Sequence, residues 1–131
     1  MKKLRIIIEK SSDYYAAYAE NCDGVYGAGA SVEETKVNVV AGLELLKQTA
    51  KNLPAILKED YIIEYHFDVP SFLNYYSGVF SKSALERMSG INQTQLSHYV
   101  SGFRKPSKKT IKKLDNAIHN LVEELSQVRL M

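Results

Sequence analysis

The sequence SKSALERMSGINQTQLSHYVSGFRKPS, residues 81–107, contains two short helical patterns separated by a glycine. Gly90 stands where a sharp turn between helices needs a residue that adopts positive φ without strain. Asn92 follows at a position that favours capping of a second helix, which we predict to cover about residues 93–101. The segment therefore predicts two helices joined by a tight turn, and this pair decides the architecture of the carboxyl-terminal half.

Apolar residues at helical spacing divide this segment into an inward and an outward side. The predicted inward side consists of Leu85, Met88, Ile91, Leu96, Tyr99 and Val100. The outward side of the second helix carries amides, hydroxyls and an imidazole, and such groups can bond to base edges in the major groove of DNA. We therefore predict as base-reading residues Asn92, Gln93, Thr94, Gln95, Ser97 and His98. The alternative is an ordinary helical hairpin whose polar residues face solvent.

The charge of the chain is concentrated around the same segment. Residues 81–113 contain eight basic side chains and one acidic side chain, a net charge of +7, whereas the whole chain carries +2. Basic residues that flank a turn motif are well suited to contact phosphates, which fix the register of a protein on a duplex. We predict as phosphate-binding residues Lys82, Arg104, Lys105, Lys108 and Lys109. A solvated, lysine-rich face is the alternative.

Residues 81–107 resemble the lambda Cro/repressor (Xre) type of helix-turn-helix. The resemblance includes the G-x-R-x-P-S turn after the second helix, which here consists of Gly102, Arg104, Pro106 and Ser107. It implies an all-α, lambda-repressor-like domain that binds double-stranded operator DNA.

Two residues depart from the pattern of that family. Glu86 stands where the family usually has a small residue, often alanine, and Ser89 where it usually has an apolar one. A carboxylate at the first position must reach solvent or find a partner, for which we expect Arg87 or Lys82.

Residues 1–68 show the alternation of a small β-rich module. We predict strands near residues 4–9, 14–20, 25–28 and 61–67, and a helix that a capping box opens at Ser31 and that ends near residue 50. The apolar face of this helix is predicted to comprise Val39, Val40, Leu43, Leu46 and Ala50. The glycines at 24, 27 and 29 are predicted to permit a tight turn or a close backbone approach rather than to form a phosphate loop. The predicted order is β-β-β-α-β.

Residues 69–131 are predicted to form a separate all-α domain. Its first helix starts near Pro70 and carries an apolar stripe of Phe72, Leu73, Tyr76, Val79 and Phe80. Its last helix begins near Ser107 and has a seam at steps of three and four residues, which comprises Ile111, Leu114, Ile118, Leu121 and Leu125. Such a seam needs a partner. Part of it should cover the helix-turn-helix, and the remainder can join a second subunit in a homodimer or higher homo-oligomer. The alternative is that the whole seam packs only on the core of its own domain.

A β-β-β-α-β module followed by a helix-turn-helix resembles the HicB antitoxins of type II toxin-antitoxin systems over nearly the whole chain. The resemblance implies a partial RNase H-like (HicB-like) module at residues 1–68, which binds and blocks a small mRNA-cleaving toxin, HicA. It also implies that the DNA-binding domain at residues 69–131 represses the operon of the pair. The usual proline-aspartate turn of the family reads Asn21-Cys22-Asp23-Gly24 here, and its glycine-aspartate-threonine helix start reads Gly29-Ala30-Ser31.

No pattern in the sequence predicts a catalytic residue, a cofactor or a metal site. Cys22 is the single cysteine, which excludes intramolecular disulfides and cysteine metal clusters, and the three histidines are scattered. An RNase H-like core invites a nuclease hypothesis, because such enzymes hold divalent metal ions with clustered carboxylates. The strand carboxylates Glu9, Glu20 and Glu64 alternate with apolar residues, however, so we predict that they face solvent and that the chain is not an enzyme.

The sequence thus predicts a cytoplasmic α+β protein, because no apolar run reaches the length of a signal peptide or a membrane span. The favoured interpretation is a DNA-binding HicB-like antitoxin and autorepressor. The alternative is a stand-alone helix-turn-helix regulator whose first module binds a small ligand or serves for assembly.

Overall fold

Alternating apolar residues near the amino terminus form the strand around which a four-stranded sheet is built. The structure is a computed structural model that describes residues 1–131. The strands are β1 (Lys2–Lys10), β2 (Tyr15–Ala19), β3 (Tyr26–Gly29) and β4 (Tyr61–Phe67). Their order in the sheet is β3-β2-β1-β4, in which β1 pairs antiparallel with β2 and parallel with β4, and β2 pairs antiparallel with β3.

The parallel pairing of β1 and β4 requires a crossover connection, and helices provide it. These helices are α1 (Val32–Thr49) and α2 (Ala55–Lys58). α1 begins as predicted, since the Ser31 Oγ accepts a hydrogen bond of 3.1 Å from the Glu34 N–H. α2 was not predicted, because its four residues after Pro54 are too few to show a helical period. The predicted β-β-β-α-β order therefore gains one short helix.

α1 packs on one face of the sheet. Leu4, Ile6 and Ile8 are buried at alternate positions of β1, and α1 contributes the buried residues Val39 and Leu43. The prediction was wrong for Val40, which is 37% exposed. The buried side of α1 is narrower than the predicted apolar face, because it consists of a single row at positions 32, 35, 39 and 43. One of these residues, Thr35, is polar. The Thr35 hydroxyl is satisfied there, since it donates 2.7 Å to the Ser31 carbonyl.

Glycines in β3 allow α1 to approach the strand closely. A Cβ added at Gly27 would lie 2.5 Å from the Val39 backbone nitrogen, and one added at Gly29 would lie 2.8 Å from the Thr35 backbone nitrogen. Gly24 adopts a φ of 85° in the preceding turn. The prediction that these glycines permit a turn and a close backbone approach is confirmed.

The chain forms two compact units, Met1–Asp68 and Val69–Met131. The second unit is all helical and consists of α3 (Val69–Tyr75), α4 (Lys82–Ser89), α5 (Gln93–Ser101) and α6 (Lys108–Ser126). Together with the sheet of the first unit, these helices give the mixed α+β architecture that was predicted. No helix of the chain combines the length and the apolar character that crossing a membrane requires.

The four helices of the second unit enclose one core. Its buried residues are Leu73, Leu85, Ile91, Leu96, Tyr99 and Leu114. Met88 and Val100 pack against this core while partly exposed, so the predicted inward side is confirmed. The predicted apolar stripe of α3 was wrong for Val79, which is 71% exposed because α3 ends at Tyr75 and the chain then turns.

We expect Gly27→Ala to destabilise the first unit by about 1–3 kcal/mol, because the new methyl group would meet the backbone of α1, which cannot move aside without shifting the whole helix. Urea unfolding of the full chain measures the change. Gly78→Ala is the matched control, since a Cβ added there meets nothing within 4 Å. Equal stability of the two variants would contradict the close packing of α1 on β3.

Candidate nucleic-acid interface

The turn between α4 and α5 is held by hydrogen bonds. Gly90 adopts a φ of 77°, and its N–H donates 2.7 Å to the Glu86 carbonyl, which closes α4. The buried Ser89 Oγ donates 2.6 Å to the Leu85 carbonyl and accepts 3.2 Å from the Ile91 N–H. Ser89 stands where the Cro/Xre-type pattern usually has an apolar residue. Its buried hydroxyl is nevertheless fully hydrogen-bonded, because both of its partners are backbone groups of the same turn.

Two side chains hold the beginning of α5. The Asn92 Oδ1 accepts 2.8 Å from the Gln95 N–H, as expected of the predicted capping residue. The Glu86 Oε1 accepts 3.0 Å from the Gln93 N–H. The expected partners of Glu86, Arg87 and Lys82, were wrong, since its carboxylate reaches across the turn to the backbone of α5. The Arg87 Nη1 instead donates 3.0 Å to the Ser83 Oγ.

None of the predicted base-reading residues belongs to the core around Leu96; Thr94 and His98 lie on the opposite side of α5, and the others lie at its flanks or at its start. Four of them are exposed at or next to the amino-terminal end of the helix, namely Asn92, Gln93, Thr94 and Gln95. Ser97 and His98 are half-buried one turn later. Because Thr94 and His98 are four residues apart, as are Gln93 and Ser97, these side chains form two adjacent rows on one surface. Asn92 differs from the others because its side-chain oxygen already serves as the cap.

The turn after α5 brings basic side chains next to this surface. Gly102 ends α5 with a φ of 80°, and the Arg104 N–H donates 3.3 Å to the His98 carbonyl. The predicted phosphate-binding residues are all exposed, and none forms an ion pair with a carboxylate of the chain; they are Lys82, Arg104, Lys105, Lys108 and Lys109.

α6 begins with basic residues where acidic ones would be more favourable. Ser107 caps the helix, because its Oγ accepts 3.2 Å from the Thr110 N–H. Lys108 and Lys109 occupy the first turn, which contains no acidic residue. The positive end of the helix dipole disfavours cations there and favours anions. An external phosphate at this position would therefore interact favourably with both the helix and the lysines.

The structure adds Phe103 and Ser101 to the predicted surface. Phe103 is 68% exposed, and its ring centroid lies 4.9 Å from that of His98. The Arg104 guanidinium carbon lies 5.9 Å from the same ring centroid. Ser101 is exposed and continues the row of Ser97 along α5. In the sequence, Phe103 is an aromatic residue between Gly102 and Arg104 of the turn motif, and the argument from periodicity passed over it.

Comparison with known proteins identifies this part of the chain. Residues 80–121 match a family model described as helix-turn-helix, which extends from just before α4 through most of α6. The match covers about a third of the chain and confirms the predicted Cro/Xre-type motif. The matched family is one of DNA-binding domains, which indicates a DNA-binding transcriptional regulator. No curated protein and no solved structure matches the chain.

The three carboxylates that were predicted on strands are each bonded to a neighbouring side chain, although Glu20 lies just after the end of β2. Glu20 pairs with the Arg5 Nε at 2.9 Å, and Glu9 accepts 3.5 Å from the Tyr18 hydroxyl. Glu64 lies 2.7 Å from the His66 Nε2 and 3.2 Å from the Lys3 Nζ, and these hydrogen bonds, that of His66 first, lower the pKa of Glu64. No three His, Cys, Asp or Glu side chains are grouped to hold a metal ion.

Cys22 lies in the turn between β2 and β3. Its side chain is buried, and burial raises the pKa of its thiol. A raised pKa disfavours the reactive thiolate, so the geometry gives Cys22 a packing role.

Proposed function

We propose that the chain is a DNA-binding antitoxin of the HicA/HicB type, which neutralises an mRNA-cleaving toxin and represses its own operon. The helix-turn-helix at residues 80–121 is the observation that carries the proposal, because it supplies the DNA-binding half by both geometry and family. In this proposal residues 1–68 are the toxin-binding or assembly module, and residues 69–131 are the DNA-binding domain.

α5 is the helix that enters the major groove in this proposal. Gln93, Thr94 and Gln95 are exposed at its leading end, where side chains of a recognition helix contact base edges. The amides of Gln93 and Gln95 can each bond bidentately to adenine, and the Thr94 hydroxyl can meet several bases. The lysines and the arginine around the following turn hold phosphates on either side, since no carboxylate of the chain neutralises them.

The first unit supports a protein-binding role. β2 and β3 expose Tyr18 and Tyr26 on the same side of the sheet, where the two residues pair across the strands, and Tyr26 is 68% exposed. Tyrosine is enriched in protein interfaces because it combines a large apolar ring with a polar tip. Residues 1–80 carry a net charge of −3, which suits a basic partner. These features favour a small basic toxin, and the β-β-β-α-β order with its crossover α1 is the one that the HicB resemblance implies.

We also propose that α6 joins two copies of the chain. Leu114 is buried and Ile118 packs against the helical core, whereas Val122 and Leu125 further along α6 are 58% and 55% exposed. The apolar seam of α6 therefore continues beyond the core at the same three- and four-residue steps. Such a seam can pack against the α6 seam of a second copy of the chain. A two-fold pair would present two α5 helices to half-sites about one duplex turn apart, on a roughly palindromic operator.

The decisive experiment is fluorescence anisotropy with duplex DNA from upstream of the gene, compared with scrambled DNA across a series of salt concentrations. We expect tighter binding to the upstream duplex, with affinity for both duplexes falling as salt rises. Weak, equal binding to both would overturn DNA reading.

For the toxin, the purified chain should abolish RNA cleavage by the product of a short basic reading frame next to its gene. A gene without such a neighbour would favour a stand-alone regulator.

We expect the double substitution Gln93→Ala with Gln95→Ala to remove sequence preference while weak, salt-sensitive binding remains, because amides read bases and cations bind phosphates. The affinity for the preferred duplex should fall at least about tenfold, since each good base contact contributes about 1–3 kcal/mol of discrimination. Anisotropy on both duplexes measures the change. Equal losses on preferred and scrambled DNA would contradict base reading by these residues.

The substitution Lys108→Ala with Lys109→Ala should weaken binding to every duplex alike and flatten the dependence on salt, because it removes two phosphate contacts at the start of α6. The slope of log affinity against log salt should become less negative by about 2. Lys2→Ala with Lys3→Ala, which removes two exposed lysines from the first unit, is the matched control. A slope that the control changes equally would show that net charge alone is responsible.

Leu125→Lys should convert a dimer into a monomer, because it places a charge in the proposed contact between α6 helices. Asn120→Lys adds the same charge on the opposite side of α6, where it is exposed, and should leave the dimer intact. Sedimentation or light scattering gives the mass. A wild-type chain that is already monomeric at micromolar concentration would contradict pairing through α6.

A further inference from the structure

Glu86 is unusual for its place in the charge pattern. It is the one acidic residue among residues 81–113, and it lies beside the leading end of the helix that faces DNA in the proposed function. Its Oε1 accepts 3.0 Å from the Gln93 N–H, and its side chain is partly exposed. A carboxylate in a segment that contains eight basic residues weakens the attraction of that segment to a polyanion. We therefore expect Glu86 to have a structural role that offsets this loss.

The hydrogen bond of Glu86 differs in kind from that of Asn92. Asn92 is the residue just before α5, and its side chain accepts from the Gln95 N–H three positions later. This bond therefore moves together with α5. Glu86 belongs to α4, and its bond therefore ties the first residue of α5 to another helix. Rotation or tilting of α5 against α4 would break it. The residue that is held, Gln93, is also a predicted base reader, and base contacts require placement within about 0.5 Å.

The charge of Glu86 also acts on the end of α5. The first N–H groups of a helix attract anions, and a DNA phosphate can bind there without regard to sequence. Glu86 and Asn92 occupy the N–H groups of Gln93 and Gln95. A phosphate that approached Gln93 would lose that donor and meet a carboxylate, so sequence-independent contact is weakened at this end of the helix.

We propose that Glu86 is a specificity-determining positioning residue: it fixes α5 against α4 so that the side chains of α5 meet bases, and its charge keeps phosphate away from the end of that helix. The proposal rests on the proposed DNA binding.

The test compares Glu86→Ala and Glu86→Gln with wild type. The probes are the tightest-binding duplex selected from a randomised library and a scrambled duplex of the same composition. Glu86→Ala should lower the ratio of the two affinities about tenfold, because one misplaced bidentate base contact accounts for a loss of that size. Glu86→Gln retains a carbonyl oxygen that can accept from the Gln93 N–H, so its ratio should stay within about twofold of wild type. Both affinities of the Gln variant should rise about three- to tenfold, since the repelling charge is gone.

Glu123→Ala is the matched control for net charge, because Glu123 is an exposed glutamate of α6 in the same unit. It should change neither affinity by more than about twofold, as expected of an exposed charge remote from the contact. A folded Glu86→Ala variant with the wild-type ratio would overturn the positioning role. Equal gains in affinity from Glu123→Ala and Glu86→Gln would overturn the local effect of the charge.

A second measurement needs no DNA. In wild type the Gln93 amide proton, which is donated to Glu86, should exchange with solvent more slowly than in Glu86→Ala. Equal exchange of this amide in the two proteins would overturn the hydrogen bond itself. Wild-type binding that is equal on both duplexes would overturn DNA reading and the specificity role together, while the amide exchange would still separate that result from failure of the bond.

Discussion

The helical unit depends on the burial of Leu96 among the side chains of the neighbouring helices. Leu96 has no exposed surface, and Tyr99 on the next turn of α5 is also buried. These two contacts fix the rotation of α5 about its own axis, because any rotation would expose a large apolar side chain to water. Thr94 and His98, on the opposite side of α5, must then face away from the core. The burial of Leu96 and Tyr99 therefore sets which of the predicted base-reading residues point away from the core.

Local chemistry made much of this structure predictable. Asn92 and Ser31 mark helix starts because capping depends on residues three positions apart. The alternation of Leu4, Ile6 and Ile8 predicts a strand because it too depends only on residues that are close in sequence. The partner of Glu86 was not predictable, since it lies seven residues away and depends on the approach of two helices. Phe103 was passed over because exposure in a turn follows no period. The base and phosphate contacts remain predictions.

Glycine has different roles in the two units, a turn conformation in one and a close approach of backbones in the other. In the helical unit, Gly90 and Gly102 supply left-handed turns that no other residue adopts as easily. In the sheet unit, Gly27 removes a side chain so that α1 can lie on β3. Asn38 of α1 then donates 2.6 Å to the Ala28 carbonyl of β3. This bond occupies a backbone group of an edge strand, which reduces the tendency of such strands to pair with other chains.

The two long helices of the chain begin with opposite charges. α1 has Glu33 and Glu34 in its first turn, which complement the helix dipole, whereas α6 has Lys108 and Lys109. The charges in the first turn of α6 are accordingly less favourable for the helix than those of α1, and an anion from outside would supply what α1 receives from its own sequence. In the proposed function this anion is a DNA phosphate, so that binding would complete a helix end that the free chain leaves uncompensated.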